Sequence, residues 1–160
     1  MSVLFIMVGC PGSGKSYFLK NSGTVKNSSI VSRDDIRFSL LEDTDKYFDK
    51  EKQVFKTFVK TIQKELDSGK NVYADATHIN GVSRFKLINS LNLEGVDIVP
   101  IVMNTPLDVC LQRNKIRTGR KKVPVKVIED SYKNFTDPTN DEVGLGKNLY
   151  LDILHIDYKR

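Results

Sequence analysis

The chain has 160 residues, with 25 Lys and Arg against 20 Asp and Glu for a net charge of +5. This length suits one domain with a sizeable core and leaves little room for two. Hydrophobic residues at 39% and charged residues at 28% set the chain apart from disordered and fibrous classes, and no apolar run approaches the roughly 20 residues of a membrane span.

Val3 to Val8 is a continuous apolar run, the pattern of a strand buried on both faces rather than of a signal peptide. A glycine loop and a short helix, Lys15 to Asn21, follow. Ser29 to Val31 reads as a short strand and Asp34 to Leu41 as a helix. Lys46 to Leu66 reads as the longest helix, because Phe48, Phe55, Phe58, Val59, Ile62 and Leu66 recur at helical spacing and Gly69 stops it. Asn71 to Ala74 is a third strand, followed by a polar loop and a helix from about Val82 to Leu91. Val96 to Met103 is a long apolar strand. Pro106 opens a helix that runs to about Arg117. A basic loop, Thr118 to Lys122, leads through Pro124 to a helix ending near Phe135. Thr136 to Lys147 is polar and rich in turn residues. Leu149 to Tyr158 alternates as an edge strand would.

This alternation predicts one α/β domain over residues 1–160, with a mostly parallel central sheet and helices on both faces. A basic lid is expected at about 113–124 and a C-terminal extension at about 136–160. Cys10 and Cys110 are far apart and in no metal-ligand spacing, which fits reduced thiols and a cytoplasmic setting. His155 reads as structural, and no aromatic platform for bases stands out.

Gly9-Cys10-Pro11-Gly12-Ser13-Gly14-Lys15-Ser16 fits G-x-x-x-x-G-K-[ST], a pattern that arises by chance about once in 30,000 positions from average composition. Its chemistry is that of ATP and Mg²⁺. Gly9, Pro11, Gly12, Ser13 and Gly14 form a loop whose N–H groups can wrap phosphates, and the helix that starts here directs its positive end at them. Lys15 can reach the β- and γ-phosphates, and the Ser16 hydroxyl can ligate Mg²⁺.

Arg33-Asp34-Asp35-Ile36-Arg37 follows the second strand, whose carboxyl end faces the same crevice. A carboxylate there can accept the proton of an attacking hydroxyl; equally, Asp34 can cap the helix and Arg37 can be a solvated partner. Spacing leaves both open. Asp75, at the end of the third strand, can orient an acceptor or hold Mg²⁺ through water, or cap a loop. Arg113 and Arg117 are four apart on one helix face that continues into Arg120, Lys121 and Lys122. This is either an arginine clamp for a transferring phosphoryl group or a solvated basic helix end.

The phosphate loop followed by Arg33-Asp34-Asp35-Ile36-Arg37 resembles the kinase domain of phage-type polynucleotide 5′-kinases. The resemblance continues through Asp75-Ala76-Thr77 and Arg113-Asn114-Lys115-Ile116-Arg117 to Val123-Pro124, and covers about residues 1 to 135. It implies a P-loop kinase fold with a basic helical lid, ATP and Mg²⁺ as cofactors, and nucleic acid 5′ ends as substrate. It assigns Asp34 as general base, Arg37 to an acceptor phosphate, Asp75 and Thr77 to the acceptor site, and Arg113 and Arg117 to the lid. Three departures stand out. The stretch from Arg117 to Pro124 is one residue longer than in the family. His78 stands where the resembled segment has Asn. No phosphatase segment follows, since Asp43-Thr44-Asp45 lacks a preceding strand. The rival readings are a small-molecule kinase on the same scaffold, acting on a nucleoside, nucleotide or sugar, and a nucleotide-binding switch that transfers nothing.

Overall fold

The computed structural model describes residues 1–21, 24–142 and 149–159. Five strands form a parallel sheet: β1 (Ser2–Val8), β2 (Ser28–Ser32), β3 (Asn71–Asp75), β4 (Val96–Asn104) and β5 (Leu154–Asp157). Their order is β2-β3-β1-β4-β5, so the phosphate-loop strand is central and the last strand lies at an edge. The helices are α1 (Lys15–Asn21), α2 (Arg33–Leu40), α3 (Glu51–Asp67), α4 (Gly81–Asn89), α5 (Leu107–Ile116) and α6 (Val125–Lys133), with a 3₁₀ turn at Gly119–Lys121.

The apolar run of β1 is explained by cover on both faces. Leu4, Ile6 and Val8 pack with Phe58, Ile62 and Leu66 of α3 and with Leu87 and Ile88 of α4. Met7 turns the other way, with Tyr73, Ile101 and Leu19 of α1. A third cluster joins Cys10 of the loop to Cys110 of α5 and Ile128 of α6. In a parallel sheet all strands end on one edge, where crossovers leave a crevice. The register pairs Ser32 with Asp75 and Ile6 with Ala74, which aligns the ends of β2, β3 and β1.

Two expected boundaries shift. The long helix starts at Glu51 and not at Lys46; residues 47–50 are turns. Phe48 is therefore no core position of a helix and is 58% exposed. The last strand is confined to Leu154–Asp157, with Tyr150 making only an isolated bridge to Ile98. Residues 143–148 of the expected C-terminal extension lie outside the described residues.

Candidate active site

The loop between β1 and α1 is held by its own backbone and by the residues that follow β3 and β4. Gly9 N–H donates to the Thr77 carbonyl at 2.9 Å, and Ser13 N–H to the Cys10 carbonyl at 3.0 Å. The Thr105 hydroxyl donates to the Ser13 carbonyl at 2.6 Å. Gly12 and Gly14 hold φ of 83° and 99°, where a side chain is strained. At Gly12 a Cβ would also stand 2.8 Å from the Cys110 carbonyl oxygen. Pro11 and Gly12 form the turn at the loop's outer bend.

Lys15 Nζ donates to the carbonyls of Gly9 at 2.8 Å and Cys10 at 3.1 Å, folded back over the loop that its charge would serve. Burial pushes its ammonium below the ordinary lysine range, with the Asp75 carboxylate opposing. Burial likewise raises the Asp75 carboxyl, opposed first by Lys15, with the nearby Asp34 and Asp35 charges adding to the rise and the Ser16 hydroxyl bonded to it. Ser16 and Asp75 thus present hard oxygen donors side by side, the ligand type Mg²⁺ prefers. Among the described residues no group of three or more His, Cys, Asp or Glu could hold a metal ion by itself. A hydroxyl beside a single carboxylate is the arrangement in which nucleotide phosphates and water complete the shell.

Asp34 is not the cap of α2. Ser32 is, its hydroxyl accepting from the Asp35 N–H at 3.2 Å. Asp34 sits in the first helical turn with its side chain 57% exposed. The Tyr47 hydroxyl donates to its Oδ1 at 2.6 Å, and Arg37 Nη1 pairs with the same oxygen. Arg37 is buried at 4% exposure and is no solvated partner. Its Nη1 also reaches the Tyr47 hydroxyl at 2.8 Å, and its Nη2 meets the two Glu51 oxygens at 2.9 and 2.7 Å. Burial works against the Arg37 charge, and Glu51, Tyr47 and Asp34 together more than offset it. Arg33 pairs with Glu51 as well. The Nε atoms of Arg33 and Arg37 are buried without a hydrogen-bond partner. Burial and the bond to Asp34 raise the Tyr47 phenol well above its usual range.

The lid residues separate. Arg113 Nη1 donates to the Gly12 carbonyl at 3.0 Å, and its guanidinium lies 5.4 Å from the Tyr158 ring centroid. Arg117 is one residue past the end of α5, where the backbone turns extended, and its Nη1 lies 3.5 Å from the Lys121 carbonyl. Arg120 bonds the Glu42 carbonyl and so ties the lid to the segment after α2. Only the last turn of α5 and the 3₁₀ turn are helical in this lid.

Glu51 and Tyr47 had no signal in the sequence, and His78 was marked only by standing where the resembled segment has Asn. His78 is buried at 4%, and its Nδ1 lies 2.9 Å from the Met7 carbonyl, which requires a proton on that nitrogen. It braces the end of β3 against β1 from inside the core. Cys10 and Cys110 meet with their Sγ atoms 3.1 Å apart, and both are free thiols. The bond from Cys110 and the charge of Lys15 outweigh burial and lower the Cys10 thiol to about 7, while Cys110 is pushed up.

A family profile described as an AAA domain (AAA_33) matches residues 4–138. The chain belongs to this AAA-domain family. It is 25% identical over 152 residues to a protein of Autographa californica nuclear polyhedrosis virus named as a proposed bifunctional polynucleotide kinase/RNA ligase, an alignment covering 87% of this chain and 22% of that one. Among solved structures, a chain of the Pnkp1/Rnl/Hen1 RNA repair complex matches with a TM-score of 0.65 at 26% identity, over 84% of this chain and 46% of that one. A gluconokinase from Sinorhizobium meliloti 1021 matches with a TM-score of 0.57 at 18% identity, over 98% and 82%, a likeness of fold alone. The fold is that of P-loop kinases, and the chain spans less than half the length of the first two relatives. No helix among the described residues is long and apolar enough to cross a membrane.

Proposed function

We propose that this chain is an ATP-dependent phosphotransferase that moves the γ-phosphate to the 5′-hydroxyl of a polynucleotide. The observation that carries this reading is Asp34: an exposed carboxylate, held by Tyr47 and Arg37, on the sheet edge that also bears the phosphate loop. A sugar hydroxyl is a poor nucleophile until its proton has an acceptor, and the exposed Asp34 carboxylate is the group that supports this role. A switch that only binds nucleotide has no use for such a group. The choice of polynucleotide over sugar is supported by the relatives at 25% and 26% identity, since the gluconokinase at 18% shares only the fold.

In this mechanism Lys15 leaves the Gly9 and Cys10 carbonyls to meet the β- and γ-phosphates, and the loop N–H groups hold them. Ser16 and Asp75 would hold Mg²⁺, which would supply charge neutralisation on the phosphates. Asp34 takes the hydroxyl proton. Arg37 orients Asp34; its unpartnered Nε is buried and meets an acceptor phosphate only once the side chains covering it shift. Arg117 closes over the migrating group, where a planar guanidinium matches phosphoryl oxygens, while Arg113 braces the loop at Gly12. Thr77 holds the loop through its carbonyl and lines the acceptor side. The described C-terminal residues, 136–142 and 149–159, act as part of the same single domain.

The test is transfer from labelled ATP to a panel of 5′-hydroxyl oligonucleotides, nucleosides and sugars. Oligonucleotides are the expected acceptors. Lys15→Ala abolishes transfer, and Asp34→Asn lowers it by about 10²–10⁴, both with an unchanged circular dichroism spectrum. Preference for a plain sugar or nucleoside would instead establish the small-molecule kinase, and hydrolysis without transfer to any acceptor would establish the switch.

A further inference from the structure

Phe48 is a large apolar side chain left 58% exposed beside the proposed general base. Exposed apolar residues are common on protein surfaces, and exposure alone assigns nothing. Phe48 differs in what backs it. The Tyr47 ring stands edge-on to it, with centroids 4.7 Å apart at 84°. The buried Arg37 guanidinium lies 4.2 Å from the Tyr47 centroid and 5.8 Å from that of Phe48. Phe38 completes the cluster, 6.2 Å from Tyr47. Tyr47 is itself tied to Asp34 through its hydroxyl at 2.6 Å. The ring is therefore supported from below and linked through one residue to the carboxylate that receives the acceptor hydroxyl. Arg120 of the lid bonds the Glu42 carbonyl, which ties the basic lid to the segment that carries Phe48.

We infer that the Phe48 ring is a stacking platform for the nucleobase of the acceptor's terminal nucleotide. This deepens the reading of the previous subsection and rests on it. The base is joined to the same sugar that carries the reacting hydroxyl, so an acceptor seated on Asp34 brings a flat π-face toward the Tyr47–Phe48 pair. A pre-held ring loses little freedom when it is covered. Stacking on one ring accepts any of the four bases, which suits an enzyme acting on ends of any sequence. The backbone phosphates then face Arg120, Lys121 and Lys122.

The experiment compares steady-state kinetics on a 5′-hydroxyl oligonucleotide and on the same oligonucleotide with an abasic 5′-terminal residue. The wild-type chain is expected to favour the base-bearing acceptor by about 5- to 150-fold in kcat/KM, the range that base–aromatic stacking supplies. Phe48→Ala erases that preference through KM, leaving kcat, the KM for ATP and use of the abasic acceptor unchanged. Phe48→Trp retains the preference, and Phe48→Leu, which keeps apolar bulk without a π-face, loses it. Equal use of the two acceptors by the wild type overturns the inference while transfer itself upholds the proposed function. An equal loss on both acceptors in Phe48→Ala and Phe48→Leu also overturns it, since the ring is then structural. Absence of transfer to any oligonucleotide removes the proposed function, and the base platform with it.

Discussion

His78 shows how one buried imidazole writes itself into the pH dependence of the whole molecule. Burial lowers its pKa from 6.5 to about 4, only partly opposed by its bond to the Met7 carbonyl. Between pH 6.5 and 4 the unfolded chain takes up a proton that the native chain refuses. The unfolded state then binds more protons, so stability falls as pH falls through this window, by about 3 kcal/mol in all. Below pH 4 both states are protonated and this contribution levels off. Urea unfolding midpoints at pH 7.5 and 4.5 measure it, and His78→Asn is expected to flatten that part of the profile. Asn is the natural choice for the control. It can donate to a carbonyl, and it tolerates the positive φ of 42° at this position better than most residues. A wild-type midpoint unchanged across the window would mean that His78 is not held neutral.

At the scale of elements, the segment from α5 to α6 carries the strongest functional prediction. Arg113 is engaged with Gly12 and Tyr158 and Arg120 with Glu42, whereas Arg117 leans only loosely on Lys121. The loosely held guanidinium is the one proposed to swing onto a transferring phosphoryl group. Arg117→Ala is expected to lower kcat by about 10³-fold or more with the ATP KM little changed. Arg113→Ala is expected to act mainly on the ATP KM, because it supports the loop before any substrate arrives. Single-turnover measurements separate the two. A crippling Arg120→Ala with a nearly silent Arg117→Ala would move the clamp to Arg120. The α2–α3 pair offers a second case. Glu51, at the first turn of α3, is shared by Arg33 and Arg37 of α2. Glu51→Ala is expected to cost about 2 kcal/mol, less than a fully buried pair because its side chain is 34% exposed. It is also expected to lower transfer, by freeing Arg37 from the geometry that presents Asp34.

For the molecule as a whole, Arg84 is the tie between the sheet's catalytic edge and the chain beyond α6. It is fully buried and pairs with Glu142, which also accepts from the Tyr150 hydroxyl at 2.5 Å. Arg84 further donates to the carbonyls of His78 and Thr136, both at 2.8 Å. Arg84→Ala leaves the Glu142 carboxylate buried without its counter-charge, and a loss of about 3–5 kcal/mol is expected in the urea unfolding free energy. Glu142→Gln, which keeps a polar partner, is expected to cost less. A change under 1 kcal/mol in Arg84→Ala would show that residues 136–142 are held by something other than this pair.

The sequence by itself determined whatever depends on local backbone geometry and short spacing. Alternation of apolar runs with helical patterns specified a parallel α/β sheet, because each element's periodicity records which of its faces is covered. The glycines of the phosphate loop specified an anion cradle, because only they accept φ near 90° there. The acid after β2 was placed at the right edge of the sheet by the rule that parallel strands end together. Only the tertiary structure decided which side chains meet. Tyr47 and Glu51 reach Arg37 from a turn and a helix that carry no motif. Phe48 sits at helical spacing with the core positions yet leaves the helix, because α3 starts only at Glu51. His78, which the sequence marked only as standing where the resembled segment has Asn, is core. Arg84 and Glu142 lie 58 residues apart, and the two thiols lie 100 apart. Such contacts follow from how helices pack across a sheet, which no spacing along the chain encodes. The residues that position Asp34, and the ring proposed to seat a base beside it, belong to that second kind.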